Sequence, residues 1–387
     1  MMIAGLFSLV VWLYLFWAHN RFWRADQRLT RIGDDPQAWP RVLSIIPARN
    51  EADVIETAVR SLLDQDYPAR LDIVVVDDGS SDGTGDLVKR LKVKRGAARS
   101  LHLIRNSERP KGWSGKLWAL HQGIVHAEAD GLDAPIILLT DADIAHDSGS
   151  LTSLVKKMVN EDRDLVSLMV RLRVEGFWEQ LLIPPFVFFF QMLYPFPAVN
   201  DPKHTIAAAA GGCVLVTWEA LEDSGGIEAI KGDLIDDVAL GKAIKRRPQG
   251  SGRIWLGLTA ETVSLRAYDT LSSIWAMVAR TADSQLGHSL IVLIGTILGL
   301  FLVYLLPPLL VLGLPFHQRI ELGLLGIMAW VIMSMTYWPT IKLYRQTPVW
   351  ILALPIAAVC YAAMTIDSAR QYRLGRGGLW KGRVFQD

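Results

Sequence analysis

Two apolar blocks at opposite ends of the chain, separated by a long stretch of mixed polarity, limit what this sequence can fold into. Residues 3–18 (IAGLFSLVVWLYLFWA) carry no charge and are followed by Arg21, Arg24, Arg28 and Arg31. A cleaved signal peptide places its charge before the apolar run and a small-residue site after it. Here the charge follows, and the run closes on Phe16-Trp17. We read residues 1–20 as an uncleaved membrane anchor with 19–31 on the cytoplasmic side. At about 1.5 Å of rise per residue the run falls short of about 30 Å of hydrocarbon, which keeps an interfacial helix open.

The second block, 286–368, holds three apolar runs at 290–315, 321–340 and 349–366. If all three crossed a bilayer, the basic tail 369–387 (Arg370, Arg373, Arg376, Lys381, Arg383) would end opposite to a cytoplasmic domain, against the positive-inside tendency. One run, either 290–315 with Pro307-Pro308 or 349–366, is therefore expected to be re-entrant or interfacial. A further apolar stretch, 181–199, contains Pro184, Pro185, Pro195 and Pro197, which argue against a clean spanning helix. It reads either as a core segment or as a surface dipping into the membrane.

Between the blocks, residues 40–285 read as one α/β catalytic domain. Lys plus Arg number 40 against 39 Asp plus Glu, so no global field points to nucleic acid. The two cysteines, Cys213 and Cys360, lie far apart in unlike contexts and make neither a disulfide framework nor a metal-ligand spacing, which fits a reducing setting. Apolar strands are predicted at 42–46, 71–76 and 135–140, with helices opening at Asn50 or Glu51 and running over roughly 84–93. Continuous apolar strands alternating with helices argue for a parallel sheet covered on both faces. In such sheets ligands bind at the carboxyl ends of strands, and two of these strands end in paired acids.

Those acids are the candidates for chemistry. Asp141 and Asp143 end the third strand as Asp-Ala-Asp, and two hard carboxylates suit Mg²⁺ or Mn²⁺ completed by water and a substrate diphosphate. A solvated turn is the bland alternative, and the buried strand before it tips the balance. Asp77 and Asp78 end the second strand, where they can accept hydrogen bonds from a base or ribose; an Asp-Gly turn would look the same. No Gly-x-Gly-x-x-Gly follows the first strand, which speaks against a dinucleotide-binding dehydrogenase. Residues 109–118 (RPKGWSGKLW) bring Lys111 and Lys116 to a helix start, where phosphate binds readily. Asp236 and Asp237 open another helix, either as simple caps or as a general base. His288, beside Gln285, precedes the first late apolar run.

Taken in order, PARNE (47–51), LLDQDYP (62–68), VVVDDGSSDGT (74–84), GKLWAL (115–120), LLTDAD (138–143), GGCVLV (211–216) and LIDDVALGKAIK (234–245) resemble family 2 glycosyltransferases of the GT-A fold. With the apolar ends and LWKGRVF (379–385), the chain is similar to the hopene-associated (hopanoid biosynthesis) membrane glycosyltransferases. The resemblance implies a nucleotide-diphospho-sugar transferase fold with an N-terminal anchor and C-terminal transmembrane or interfacial helices. It implies that Pro47, Arg49, Glu51, Asp77 and Asp78 line the nucleotide pocket, and that Asp143 and Asp141 hold the cation and donor diphosphate. Asp237 takes the place of the base, with Asp236 where the family has Glu. The family's Gln-x-x-Arg-Trp motif falls on Gln285 and His288 but lacks its Arg and Trp, which argues against a processive polysaccharide synthase.

The expectation is an inverting, metal-dependent glycosyltransferase in the bacterial inner membrane, with its catalytic domain facing the cytoplasm. Its donor would be a nucleotide sugar such as a UDP-sugar, and its acceptor a membrane lipid, with no nucleic-acid partner. The competing readings are transfer to a polyprenyl phosphate, which needs no base, and a scaffold that binds the nucleotide sugar without turning it over.

Overall fold

The structure, a computed structural model, describes residues 1–30, 33–93, 98–247 and 252–375. Arg31, Arg376, Lys381, Arg383 and the 379–385 segment lie outside the described residues. The described chain forms two compact units. One draws on Asp26–Arg173 and Ala198–Ala267, the other on Met1–Ala25, Val174–Pro197 and the described residues from Tyr268 to Gly375. The expected contiguous domain over 40–285 is thus divided: 174–197 and 268–285 cluster with the apolar ends.

The first unit is built on an eight-stranded sheet. Its strands are β1 (Val42–Ala48), β2 (Leu71–Asp77), β3 (Arg99–Arg105), β4 (Ile136–Thr140), β5 (Ile144–His146), β6 (Leu165–Arg171), β7 (Cys213–Thr217) and β8 (Ile254–Ser264). Their spatial order is β3-β2-β1-β4-β7-β6-β8-β5. Every residue of β1, β2 and β4 is buried, as their unbroken apolar character requires when helices cover both faces. Helices Ile55–Leu63 and Ser150–Asn160 supply apolar stripes to that core, including Val59, Leu62, Leu154 and Val155. The first of these helices starts at Ile55, later than Asn50 or Glu51, because residues 49–52 are drawn into side-chain bonds with the 77–84 loop. The second predicted helix is Thr84–Arg90.

The sheet is mixed, which corrects the expectation of a parallel one. β3, β2, β1 and β4 are parallel, but β7 pairs antiparallel to β4 and β6, and β5 antiparallel to β8. This reversal positions the site. Thr140 lies opposite Cys213, so the residues entering β7 meet those leaving β4. Ile144 lies opposite Ser264, so the end of β8 arrives beside Asp143.

The second unit is helical. Helices spanning Leu290–Leu312, Ile320–Leu343 and Pro348–Arg373 are each long and apolar enough to cross a membrane. Met2–Trp17 and Phe177–Leu193 are shorter apolar helices. The 181–199 stretch forms no spanning helix, since its helix ends at Leu193 ahead of Pro195, but two proline pairs do not break the helices that hold them. Pro184 and Pro185 sit inside the uninterrupted helix Phe177–Leu193, and Pro307-Pro308 follow a π-helical turn at Phe301–Leu305 without breaking the run. A proline withholds the N–H that would bond the carbonyl four residues earlier. For Pro184 that carbonyl is Gln180 O, which accepts from Gln346 Nε2 at 3.0 Å. For Pro307 it is Val303 O, which accepts from the buried Trp12 Nε1 at 2.7 Å. Both of these acceptors are satisfied by side chains distant in sequence, Gln346 in a loop and Trp12 in the first helix.

Candidate active site

The carboxyl edge of the sheet gathers most of the residues singled out in the sequence. The parallel register sets Ala48 against Asp77 and Ile45 against Leu139, so Arg49, Asp78 and Asp141 leave the sheet on one edge. Asp77 and Asp78 are buried. Asp77 Oδ1 accepts Ser80 N–H at 2.8 Å, and Asp78 Oδ1 accepts Asn106 Nδ2 at 2.9 Å. Arg49 Nη1 lies 3.3 Å from Asp78 Oδ2. Across the strands, Glu51 N–H donates to Thr84 Oγ1 and Ala52 N–H to Asp82 Oδ2, both at 2.9 Å. These bonds lock the 49–52 turn to the 77–84 loop. Pro47, buried at the end of β1, lines the cleft next to them.

A second group surrounds Lys116. Ser114 caps helix Gly115–Ala129 by accepting the Leu117 N–H at 3.2 Å, which sets Lys116 in the first turn. Lys116 Nζ lies 2.9 Å from Asp141 Oδ1 and 3.1 Å from Asp236 Oδ2. Asp236 and Asp237 are the first two residues of helix Asp236–Arg246. Asp237 Oδ1 accepts Val238 N–H at 2.7 Å, and its Oδ2 accepts Gly211 N–H at 2.9 Å. A Cβ at Gly211 would stand 3.1 Å from Lys116 Nζ and 3.4 Å from Asp237 Oδ2, so Gly211 packs directly against both side chains. The cleft here, about 350 Å³ counting its open mouth, is walled by Lys116, Asp141, Asp236, Asp237 and apolar residues such as Leu120 and Leu240.

Burial and like charge shape the titration of this group. Burial would lower the Lys116 ammonium, but Asp141 and Asp236 outweigh it, and its pKa ends above the usual value. Asp141 is raised by burial and by Asp143, with Lys116 opposing. Asp237 is pushed up to about 6, first by burial and then by Asp236, against Lys116 and its two N–H donors.

Asp143 is held differently. It is buried, and its Oδ2 accepts from Ser264 Oγ at 3.0 Å and Arg266 Nε at 3.1 Å. The same guanidinium reaches Glu51, its Nη2 lying 2.8 and 3.0 Å from the two carboxylate oxygens. Arg266 and Ser264 were passed over in the sequence. Arg266 is a lone charge just past a long strand, and only the antiparallel pairing of β5 with β8 marks it.

Gln285 and His288 belong to the helical unit. Gln285 Oε1 accepts from Tyr194 OH at 2.8 Å. His288 Nδ1 lies 2.6 Å from Asp283 Oδ2, and its ring stacks on Tyr372 with centroids 3.7 Å apart. Both have local partners, and neither is among the residues lining the cleft.

Among the described residues no group of three or more His, Cys, Asp or Glu side chains is arranged to hold a metal ion. The donor chemistry nonetheless fits one. Mg²⁺ and Mn²⁺ commonly take one or two carboxylates and complete their shell with water and phosphate oxygens. Asp141 and Asp143 supply two such carboxylates, one on Lys116 and one on Arg266.

Comparisons with known proteins bear on the family and the fold. Residues 44–225 match the family described as Glycosyl transferase family 2. The chain carries a glycosyltransferase family 2 domain. The probable glycosyltransferase YdaM of Bacillus subtilis is 28% identical over 139 residues, 36% of this chain and 31% of that protein. The uncharacterized protein MJ0544 of Methanocaldococcus jannaschii is 33% identical over 125 residues, 32% of this chain and 50% of that one. The matches thus span a third to a half of these relatives. Among solved structures, the mannosyltransferase PcManGT from Pyrobaculum calidifontis in complex with GDP-Man and Mn²⁺ superposes with a TM-score of 0.57 at 21% identity, over 93% of this chain and 99% of that one. The family 2 domain has the mixed α/β, GT-A-like fold.

Proposed function

We propose that the protein is an inverting glycosyltransferase that moves a sugar from a nucleotide-diphosphate donor to a hydroxyl of a membrane lipid. The observation that carries this reading is Lys116 held between Asp141 and Asp236, with Asp237 one residue on and its carboxyl raised to about 6. A cation beside the Asp-x-Asp strand end and an acid tuned toward neutrality are the two components that single displacement at an anomeric carbon needs.

Asp77, Asp78 and Arg49 form the nucleoside side of the site, beside Pro47. Asp237 takes the proton of the attacking hydroxyl, and its raised pKa makes it a stronger base than an exposed carboxylate. The Gly211 and Val238 N–H groups fix its orientation. Lys116 offsets charge growing on the departing diphosphate. Asp141 and Asp143 would hold Mg²⁺ or Mn²⁺, which supplies Lewis-acid stabilisation of that diphosphate when bound. Because carboxylates outnumber cations here, an anionic donor needs that added positive charge. Sugar inversion follows from attack opposite the leaving group, with no covalent enzyme intermediate.

The lipid acceptor is supported by the three helices long and apolar enough to cross a membrane. The basic residues Arg21, Arg24 and Arg28 after the first apolar helix support a cytoplasmic transferase domain on a bacterial inner membrane. The similarity to hopene-associated transferases makes a hopanoid-related lipid the first acceptor to test, with UDP-sugars as the first donors. The test is nucleoside diphosphate release by full-length protein in detergent, with and without lipid extract, and with Mg²⁺ or EDTA. Release that needs both lipid and cation is expected. No release with any donor under any condition would sink the transferase reading.

A further inference from the structure

Arg266 ties together a carboxylate on the turn beside the nucleoside-side loop, Glu51, and one proposed to hold the cation, Asp143. One guanidinium edge meets Glu51, on the turn locked to the nucleoside-side loop, and Nε meets Asp143. Glu51 and Asp143 are both buried. Ser264, two residues before Arg266, binds the same Asp143 oxygen at 3.0 Å. A planar guanidinium engaging two carboxylates at once is strongly placed, because its fork geometry is rigid and each bond is charge-assisted.

We propose that Arg266 and a divalent cation are alternative partners of Asp143, so that the protein takes up its cation together with the donor diphosphate and not before it. The inference rests on reading Asp143 as a cation ligand. A divalent ion bound directly to Asp143 would stand next to the guanidinium, and the two positive charges repel. Without the donor, releasing Arg266 from Asp143 removes one of its charged partners. The donor diphosphate changes both sides of the exchange. Its oxygens complete the shell of the ion, and its negative charge receives the displaced guanidinium. Lys116 pairs with the other proposed cation ligand, Asp141, and also with Asp236, so substitutions at Arg266 isolate the Asp143 side. Arg266 is thus a positioning residue that couples cation to nucleotide, and such coupling is reciprocal.

The experiment is a Mn²⁺ titration of the full-length protein in detergent without nucleotide, following free Mn²⁺ by electron paramagnetic resonance. Wild type is compared with Arg266→Gln, Arg266→Lys, Asp143→Asn and the Arg266→Gln/Asp143→Asn double variant. Losing one charge-assisted competitor is expected to tighten Mn²⁺ binding about tenfold in Arg266→Gln. Arg266→Lys, which keeps the charge but lacks the fork, falls between. The double variant loses the gain. In calorimetry with UDP as probe, Mn²⁺ strengthens UDP binding more in wild type than in Arg266→Gln. Mn²⁺ binding no tighter in either Arg266 variant than in wild type overturns the proposal, and so does a gain that survives Asp143→Asn. Should Arg266→Gln fail to fold, Arg266→Lys decides alone. Failure of the transferase reading would appear elsewhere, as wild type that shows this linkage yet transfers no sugar.

Discussion

Asp237 Oδ2 accepts the backbone N–H of Gly211 at 2.9 Å. Through that bond the first turn of helix Asp236–Arg246 is fastened to the residues entering β7, which the antiparallel pairing brings beside Asp141. The carboxylate assigned the proton is therefore set by backbone on one side and by its own helix start on the other.

Asp237→Asn keeps an oxygen able to accept one of these two N–H groups and removes the base. Sugar transfer is expected to fall by about 10²–10⁴-fold, with donor KM changed by no more than about threefold. Steady-state kinetics with lipid acceptor measures both. A mild effect would favour a phosphate acceptor, which needs no base.

The raised carboxyl predicts a pH profile. Asp237 must be ionised to accept a proton, so kcat/KM should rise with pH along an acid limb of apparent pKa about 6. Stability runs the other way. A carboxyl whose folded pKa lies above its unfolded value, here 3.8, stabilises the fold fully below about pH 4 and loses that contribution as pH rises through about 6. Melting curves of wild type and Asp237→Asn across this window should converge toward its acid end and separate above it, with the variant then the more stable.

Gly241 sits one turn further along the same helix, against the backbone of Ala208 and Ala209. A Cβ there would stand 2.7 Å from the Ala208 carbonyl carbon. Gly241→Ala should cost about 1–3 kcal/mol, and hence several degrees of melting temperature, by forcing helix and loop apart. Because that loop leads to Gly211, transfer should fall with it. Unchanged melting would show that the contact relaxes without cost.

β1, β2 and β4, and the acids that follow β2 and β4, were legible because burial on both faces leaves an unbroken apolar run, and a run that ends in Asp-Asp or Asp-x-Asp announces the functional edge. Asp236 and Asp237 were legible as a helix start. Arg266 was not, since nothing local distinguishes a charge after a strand, and its partners are far away in sequence, at Glu51 and Asp143. The mixed direction of the sheet escaped for a similar reason: β7 reads as apolar as its parallel neighbours. Pro307-Pro308 misled as a break because the cost of a proline depends on whether a distant side chain offers a donor, which composition does not reveal.

Trp12 provides such a donor. Trp12→Phe keeps most of the packing but leaves the Val303 carbonyl without a partner, at a cost of about 1–3 kcal/mol. Pro307→Ala restores a main-chain N–H in the same place, so Trp12→Phe should cost less in that background. Thermal unfolding of the four proteins in detergent gives the coupling. Additive effects would separate the indole from the proline.

The helical unit is assembled from the beginning, middle and end of the chain, and Trp12 finds Val303 only across nearly that whole length. During synthesis the first helix emerges long before its partners exist. The transferase domain, complete by Ala267, has all of its strands available while the helical unit still lacks its last members. The chain thus has an order of completion written into it: the sheet has all of its strands first, and the early helix stays unpartnered until the final third of the protein is made.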